Sequence, residues 1–255
     1  MTNRAVRITG FSLVELSVVL VILGLLVGGV LAGQSLIRAA ELRAVATQYQ
    51  GFITAQSAFR DKYVSSPGDM INATAYWGKD NAACSGASGT AATPGTCNGD
   101  GDGTYGYPNN PSETGEAFRY WQQLSLAGLI TGKFTGNAGS SHRLQSIAET
   151  NVPSSKISGT GWSVFWYPTI TINGGGYGNF EGIYGNTLVL GQQTSGIYEL
   201  PGLKPEDTWN IDVKMDDGKP GTGILRVMES YSNCHDQTPS TTLPLAGIAN
   251  YRLSY

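Results

Sequence analysis

The stretch CNGDGDGTYG carries oxygen-bearing side chains at every second position. Asn98, Asp100 and Asp102 alternate with glycines, an order close to the first half of the calcium-loop pattern D-x-[DN]-x-[DN]-G. Glycine lets such a short loop turn tightly, so that its oxygens can converge on one hard cation such as Ca²⁺. Either Glu113 or Glu116 can supply the carboxylate that the pattern lacks at its end. The alternative interpretation is a solvated Asp-Gly turn.

A second acidic stretch, IDVKMDDGKPGTG, holds Asp212, Asp216 and Asp217. These carboxylates can bind a second cation, or they can pair with the lysines beside them. The Gly-Lys-Pro-Gly run at its end predicts a turn in either case.

The chain has three cysteines, and two of them flank the segment before the Asp-Gly loop. Cys84 and Cys97 bracket residues rich in Gly, Ser and Thr, and in an oxidising compartment they can close this segment as a disulfide. Because connectivity cannot be read from sequence, pairing of Cys97 with Cys234 is an open alternative, as are unpaired thiols.

Two classes of function find no support in the sequence. The histidines, His142 and His235, lie in polar stretches, and the chain has no G-x-S-x-G, no H-E-x-x-H and no phosphate-binding glycine loop with its lysine. We therefore do not expect an enzyme. Without Arg4 and Arg7, 14 basic and 19 acidic residues remain and the net charge changes from −3 to −5, so no nucleic-acid partner is evident over the whole chain.

The N-terminal apolar run is long enough to cross a bilayer. Phe11 to Ala32 spans 22 residues, or roughly 33 Å of helix at about 1.5 Å per residue. Its polar side chains are Ser12, Glu15 and Ser17. Basic residues before the run favour a cytoplasmic N-terminus, so the rest of the chain is expected outside the cytoplasm.

Glu15 separates three interpretations of this run. A secretory signal peptide would fit the small residues near Ala32, but its apolar core is typically only about 7–15 residues long. A plain single-span anchor leaves the charge unexplained, at a cost of about 2.5–3.5 kcal/mol near a helix centre. The third interpretation supplies a positive partner for Glu15 on a neighbouring chain.

The Gly10-Phe11 junction, the following SLVE and the apolar run resemble the N-terminus of type IV prepilins and of type II secretion pseudopilins. The resemblance implies that prepilin peptidase cuts after Gly10 and that Phe11 is then N-methylated. It also implies that Glu15 pairs with the terminal amine of a neighbouring subunit, so that each charge offsets the burial cost of the other. Pseudopilins also use calcium-binding loops. One departure is Ala32, where many members of the family have a helix-kinking proline.

Hydrophobic periodicity predicts one long helix behind these residues. After Gly33 the apolar residues recur on one face, and the segment SPG at 66–68 ends the pattern, so the helix should run from Phe11 to about Tyr63, or ~80 Å. We expect its second half to pack against the chain's own exported domain. The residues of this stripe are Leu36, Ala40, Val45, Tyr49, Phe52, Ile53 and Phe59.

Beyond this helix the sequence predicts one globular domain. Glu116–Ile130 has helical periodicity, while Trp162–Ile172, Thr187–Leu190 and Gly223–Met228 are rich in β-branched or aromatic residues and predict strands. A charged fraction of only 14%, together with 35 glycines, is typical of a loop-rich extracytoplasmic surface.

The predicted fold is α+β: a long N-terminal α-helix, with a transmembrane and an amphipathic half, packed on a C-terminal globular domain with an antiparallel β-sheet. The resemblance implies that residues 1–10 are a cleaved leader peptide, and residues 11–33 are predicted as the transmembrane half of the helix. Residues 34–63 form the amphipathic half, and residues 64–255 form the extracytoplasmic globular α+β domain.

The resemblance implies a structural subunit, minor because its exported domain is large, of a type IV pilus or a type II secretion pseudopilus. Its partners would be other pilin or pseudopilin subunits through the N-terminal helix, prepilin peptidase and the inner membrane. Before assembly it would be a single-pass protein of the inner membrane with its globular domain outside the cytoplasm. The alternative is a membrane-anchored binding protein or enzyme that does not polymerise.

Overall fold

A computed structural model describes residues 12–80, 95–106, 115–137, 145–167, 184–192, 202–219, 222–228 and 250–254. The predicted strand at Trp162–Ile172 is described as far as Tyr167. Several residues singled out above lie outside the described ranges: Gly10, Phe11, Cys84, Glu113, His142, Cys234 and His235.

The described chain has the α+β layout that the sequence predicts. Its elements, in order, are α1 (Leu13–Tyr63), α2 (Ala73–Trp77), α3 (Gly115–Leu126), β1 (Thr160–Tyr167), β2 (Gly185–Gln192), α4 (Pro205–Met215), β3 (Leu225–Met228) and β4 (Asn250–Ser254). The strands form an antiparallel sheet in the order β1-β2-β4-β3. The chain divides into two compact units, Met1–Glu41 and Leu42–Tyr255, and the division falls within α1.

The first unit contributes the apolar part of α1. All side chains from Ser12 to Ala32 are exposed. The most apolar 18-residue window of the helix has a mean hydropathy of 2.7, and none of it is buried. A helix of 51 residues that is apolar on every side over its N-terminal half is long and apolar enough to span a membrane.

In the second unit, the remainder of α1 forms part of the hydrophobic core. Its buried residues recur at intervals of three or four, which places them on one helix face. This confirms that the second half of the helix packs on the domain. Leu36 and Ala40, which the sequence places on the same stripe, are exposed instead, because both precede the first core residue. The buried apolar residues of α1 are Leu42, Val45, Tyr49, Phe52, Ala55 and Phe59.

Phe52 of α1 contacts two other elements of the core. Its ring lies edge-on to Trp121 of α3, with 4.9 Å between centroids, and edge-on to Trp162 of β1, at 5.5 Å. Both indoles are fully buried. Aromatic pairs of this geometry contribute about 0.5–1.5 kcal/mol each beyond the burial of their area.

The second predicted helix is present as α3 but ends four residues early. Gly128 has a φ of +73°, and its amide donates to the carbonyl of Ser125 while the amide of Leu129 donates to Leu124. This is the Schellman arrangement, in which a left-handed glycine stops a helix. The helix therefore ends at Leu126 instead of Ile130.

The sheet confirms the predicted strands and adds β4. β1 pairs with β2 along its whole length, from Thr160 opposite Gln192 to Tyr167 opposite Gly185. β4 pairs with both β2 and β3 but is only five residues long, which is too short for a clear periodic signal.

The short helices α2 and α4 were not predicted from the sequence. α4 begins with Pro205 and has Glu206 and Asp207 in its first turn, which are recognised helix-start signals. Because Asp212, Asp216 and Asp217 lie in the same stretch, the sequence indicates a turn or a cation site and not a helix. α2, at five residues, has little periodicity of its own.

Replacing Phe52 by alanine should lower the free energy of unfolding of the second unit by about 3–5 kcal/mol, because it removes a buried ring and its two edge contacts. Thermal or denaturant unfolding of the full chain in detergent micelles measures the change. The control is Gln50→Ala on the exposed side of the same helix, for which we expect less than about 0.5 kcal/mol. Equal effects of the two substitutions would contradict the packing described here.

Candidate metal centre

Four carboxylates from three parts of the second unit converge. Asp69 follows the end of α1, Asp100 and Asp102 lie in the Asp-Gly loop (residues 98–103), and Glu116 is in the first turn of α3. One carboxylate oxygen from each residue lies within 4.8 Å of those of the other three. The structure thus brings three of the residues predicted as ligands together with a fourth acid.

The path of the chain after α1 places Asp69. Gly68 has a φ of +88°, and a Cβ built on it would lie 2.5 Å from the carbonyl oxygen of Glu116. Only glycine combines that φ with so close an approach to the backbone of α3. Asp69, the next residue, is thereby set beside the helix turn that carries Glu116.

Glycines of the Asp-Gly loop allow an equally close approach from the other side. A Cβ on Gly99 would lie 2.4 Å from Cα of Asp69, and one on Gly101 would lie 2.6 Å from Cγ2 of Ile71. The amide of Gly99 donates a 2.9 Å hydrogen bond to the carbonyl of Met70. The glycines therefore let the loop lie against residues 69–71, while the acids between them carry the carboxylates.

Asp69 is the acid that the sequence analysis missed. The residue is only 5% exposed, and its two oxygens accept hydrogen bonds from the amides of Gly101 (2.7 Å) and Gly103 (3.1 Å). It stands 31 residues before Asp100, in a stretch, SPGDM, that indicates an ordinary turn after a helix. The only local signal was an acid directly behind the Pro-Gly break.

The other three carboxylates are also oriented by backbone amides. Oε1 of Glu116 accepts a 2.8 Å hydrogen bond from the amide of Asp100. Oδ1 of Asp100 accepts from the amide of Asp102 at 3.0 Å, and Oδ1 of Asp102 accepts from the amide of Thr104 at 2.7 Å. The backbone therefore fixes the directions of these side chains.

Burial and mutual repulsion disfavour the ionised form of two of the acids. Burial raises the pKa of Glu116 to about 8, and the charges of Asp100, Asp69 and Asp102 add to the rise, against a hydrogen bond from a backbone amide. Burial also raises the pKa of Asp69, with Asp102 and Asp100 contributing, although two backbone amides lower it. A divalent cation would relieve both penalties, because it supplies positive charge where the carboxylates meet.

The chemistry of the donor set fits calcium. The clustered acids offer only oxygen atoms, whereas structural zinc is held mainly by Cys and His. Calcium accepts about six to eight oxygens in a flexible geometry, and carboxylates can bind it through one oxygen or both. Magnesium is smaller and demands a nearly ideal octahedron, which a set of acids from three chain segments meets less readily.

An open cleft of about 740 Å³ borders the cluster. Arg60 and Tyr63 of α1 line it together with Asp69 and Asp100. Two of the four acidic residues thus border open space, which gives a cation a route toward the cluster.

Two further predicted site residues have contacts of their own. Oδ1 of Asn98 accepts a 2.9 Å hydrogen bond from the amide of Thr74, which ties the Asp-Gly loop to the first turn of α2. Cys97, directly before it, is disulfide-bonded. Cys84 and Cys234 both lie outside the described residues, so the choice between them stays a prediction.

The second acidic stretch also forms a cluster. Carboxylate oxygens of Asp212, Asp216 and Asp217 lie within 4.8 Å of one another. Asp216 accepts a 2.9 Å hydrogen bond from the amide of Leu225, and Asp212 accepts one of 3.3 Å from the amide of Gly218. Burial raises the pKa of Asp212 to about 7, with the neighbouring acids adding to the rise. The first cluster unites four carboxylates from three chain segments, against three carboxylates from one stretch here, so it is the stronger metal candidate.

In the first unit, Glu15 caps the start of α1. Its Oε2 accepts a 2.9 Å hydrogen bond from the amide of Ser12, whose hydroxyl accepts one of 3.3 Å from the amide of Val14. This reciprocal pair is a variant of the capping box, in which the hydroxyl accepts from the second helical amide and not from the third. It satisfies two amides that the helix itself leaves unpaired. The side chain is nevertheless exposed, so it remains accessible to a partner.

No family model, no curated protein and no solved structure matches this chain.

In metal-free buffer the stability of the second unit should fall as the pH rises from about 4.5 to above 8. Glu116 has a pKa of about 8 in the folded chain against its ordinary 4.5, so its protonated form favours folding. That contribution is complete below the ordinary pKa and is lost as the pH rises through the folded one. Thermal unfolding of the full chain in detergent micelles across this range measures the decline.

Calcium should flatten this decline at the high-pH end, because it binds the ionised acids of the folded chain. The control is Glu116→Gln, which keeps the acceptor for the amide of Asp100 but cannot ionise. Its decline in metal-free buffer should be shallower than that of the wild type. An identical decline in the two proteins would contradict the electrostatic description of Glu116.

Proposed function

We propose that this chain is a prepilin-type structural subunit that is cut after Gly10, N-methylated at Phe11 and polymerised through α1. It serves as a minor component of a type IV pilus or a type II secretion pseudopilus. Before assembly it is a single-pass protein of the inner membrane, with its globular domain outside the cytoplasm.

The observation that carries this proposal is the position of Glu15 in the first turn of an exposed apolar helix. Between Ser12 and Ala32 every side chain is exposed, and Glu15 is the only ionisable one. Such a helix is stable in a bilayer, but burial of its ionised carboxylate there costs free energy unless a positive group pairs with it. A surface that is otherwise almost entirely apolar, with one carboxylate that has no cationic partner among the described residues, is suited to leave lipid for an assembly of similar helices.

The terminal amine left by cleavage after Gly10 supplies the positive partner. It belongs to Phe11, close in sequence to Glu15, so neighbouring subunits at similar membrane depths bring the amine of one near the carboxylate of the next. In a medium of low dielectric such a pair is strong, and each charge offsets the burial cost of the other. The capping box already directs the carboxylate toward the start of the helix.

The second unit supports a structural role. α1 supplies its apolar half to the first unit and core residues from Leu42 to Phe59 to the second. A filament built on α1 would therefore carry the folded domain with it.

We also propose that the four-carboxylate cluster binds calcium. Asp69, Asp100, Asp102 and Glu116 would hold the ion, which supplies positive charge that offsets their repulsion. Because these acids come from three segments, the ion joins the chain behind α1 and the Asp-Gly loop to α3. Calcium would thus stabilise the exported domain.

Sequencing and mass spectrometry of the membrane-extracted protein test the processing step. The mature chain should begin at Phe11 and carry the mass of one N-methyl group on that residue. A chain that begins at Met1 would instead support a membrane-anchored protein that acts alone, and one that begins at Gly33 would support a cleaved secretory signal peptide.

Glu15→Ala and Glu15→Val should leave membrane insertion intact and prevent polymerisation, or block it in mixtures with the wild type, because the terminal amine loses its partner. The control is Ser17→Ala, which removes a polar group whose hydrogen bond stays within the same helix. Membrane fractionation and electron microscopy of sheared filaments report the two steps separately. Normal filaments from the Glu15 variants would refute the pairing of charges.

A further inference from the structure

Gln123 of α3 connects the two chain segments that lead into the acids of the metal centre. Its side chain is fully buried, with 0% exposed. Oε1 accepts a 2.7 Å hydrogen bond from the amide of Gly68, the residue before Asp69. Nε2 donates a 3.2 Å hydrogen bond to the carbonyl of Cys97, at the entrance to the Asp-Gly loop. One side-chain amide thus bridges both segments.

The helix presents Gln123 on the same face as Glu116. Seven residues are about two helical turns, so the side chains at these two positions point to the same side. The chain passes closely over this face, since a Cβ on Gly68 would lie 3.0 Å from the amide nitrogen of Tyr120, between them. α3 therefore contributes one carboxylate itself and contacts the backbone that precedes the other three.

We propose that Gln123 is a positioning residue of the metal centre, which holds Gly68 and Cys97 at the separation that lets Asp69 and the acids of the Asp-Gly loop share one calcium ion. This inference rests on the proposed metal centre and is independent of polymerisation. Ligands that are already in place before the ion arrives bind it more tightly, because less conformational freedom is lost on binding.

An amide suits this position for two reasons. It offers one acceptor and two donors from a single planar group, so it can bond to an amide and a carbonyl at once. It also brings no charge to a region that already holds four carboxylates. If the group were removed, the amide of Gly68 and the carbonyl of Cys97 would be left without these buried bonds, and both segments would be free to shift.

The neighbouring Gln122 provides a matched comparison. It is 5% exposed, and its hydrogen bonds go to Gly95, Thr96, Thr135 and Arg119. The same substitution at this position therefore removes at least as many buried hydrogen bonds. It leaves the bonds of Gln123 to residues 68 and 97 intact, and the two glutamines have in common a bond to the hydroxyl of Thr96. The comparison therefore separates a loss of folding stability from a loss of the link between residues 68 and 97.

The test is binding of calcium, and of terbium as its luminescent substitute, by the full chain in detergent micelles. Gln123→Met removes the hydrogen bonds to Gly68 and Cys97, and a longer one of 3.4 Å to the hydroxyl of Thr96, with little change of volume. It should weaken calcium binding about 10–100-fold, the range typical for loss of an outer support of a metal ligand. Bound terbium should also coordinate more water, as measured by luminescence lifetimes in H₂O and D₂O. Gln122→Met should lower thermal stability but keep the affinity and the water count of the wild type.

If the Gln123→Met variant does not fold, Gln123→Asn provides the test. It keeps a neutral amide, but the side chain is one methylene shorter and cannot reach both partners. We expect weaker calcium binding and more terbium-bound water than in Gln122→Asn, its control.

The outcomes distinguish this inference from the proposal on which it rests. Absence of binding by the wild type overturns the metal centre and this inference with it. Binding by the wild type, with unchanged affinity and water count in the folded Gln123 variants, overturns this inference alone. Equal losses in the variants of Gln122 and Gln123 also overturn it, because they point to a general loosening of the domain.

Discussion

Negative charge that lacks a full positive partner is the constraint common to the start of α1 and to the chain just beyond its end. Glu15 lies in an otherwise apolar surface, and Asp69 meets three other acids. In both places backbone amides provide part of the compensation, through the capping box at Glu15 and through the Asp-Gly loop at Asp69. An amide carries only a partial charge, so complete compensation requires a cation. Our proposals assign a neighbouring terminal amine to the first acid and calcium to the second.

A single unbroken helix meets two different environments. Up to Ala32 its side chains are exposed and almost all apolar, while from Leu42 onward only one face is apolar and that face is buried. The backbone is compatible with both because a helix satisfies its hydrogen bonds internally, in lipid as well as in a protein core. Packing then distinguishes the halves, and the contacts of Phe52 with two buried indoles fix the second half within the domain.

The sequence predicts the elements and the candidate site well wherever the contacts that determine them are local. Periodicity was sufficient for α1 and for the presence of α3, and β-branched and aromatic content was sufficient for the strands β1 to β3. The spacing of the Asp-Gly loop indicated Asp100 and Asp102, with either Glu113 or Glu116 beside them. Asp69 could not be found in this way. The close contact of Gly68 with α3 places it beside the other acids, and nothing in the adjacent sequence indicates that contact. The exposure of Leu36 was equally hidden, since a periodic stripe does not reveal where along a helix its domain begins.

The open cleft beside Asp69 and Asp100 determines how quickly the centre could respond to its surroundings. An ion in a closed cage leaves only when the protein unfolds locally, whereas an ion at the edge of such a cleft exchanges with the native domain intact. Its occupancy would therefore follow the free ion concentration of the bathing fluid. The rigidity of the exported domain would then depend on the ion concentration of the medium around it. The ion could dissociate and bind again without unfolding and refolding of the domain.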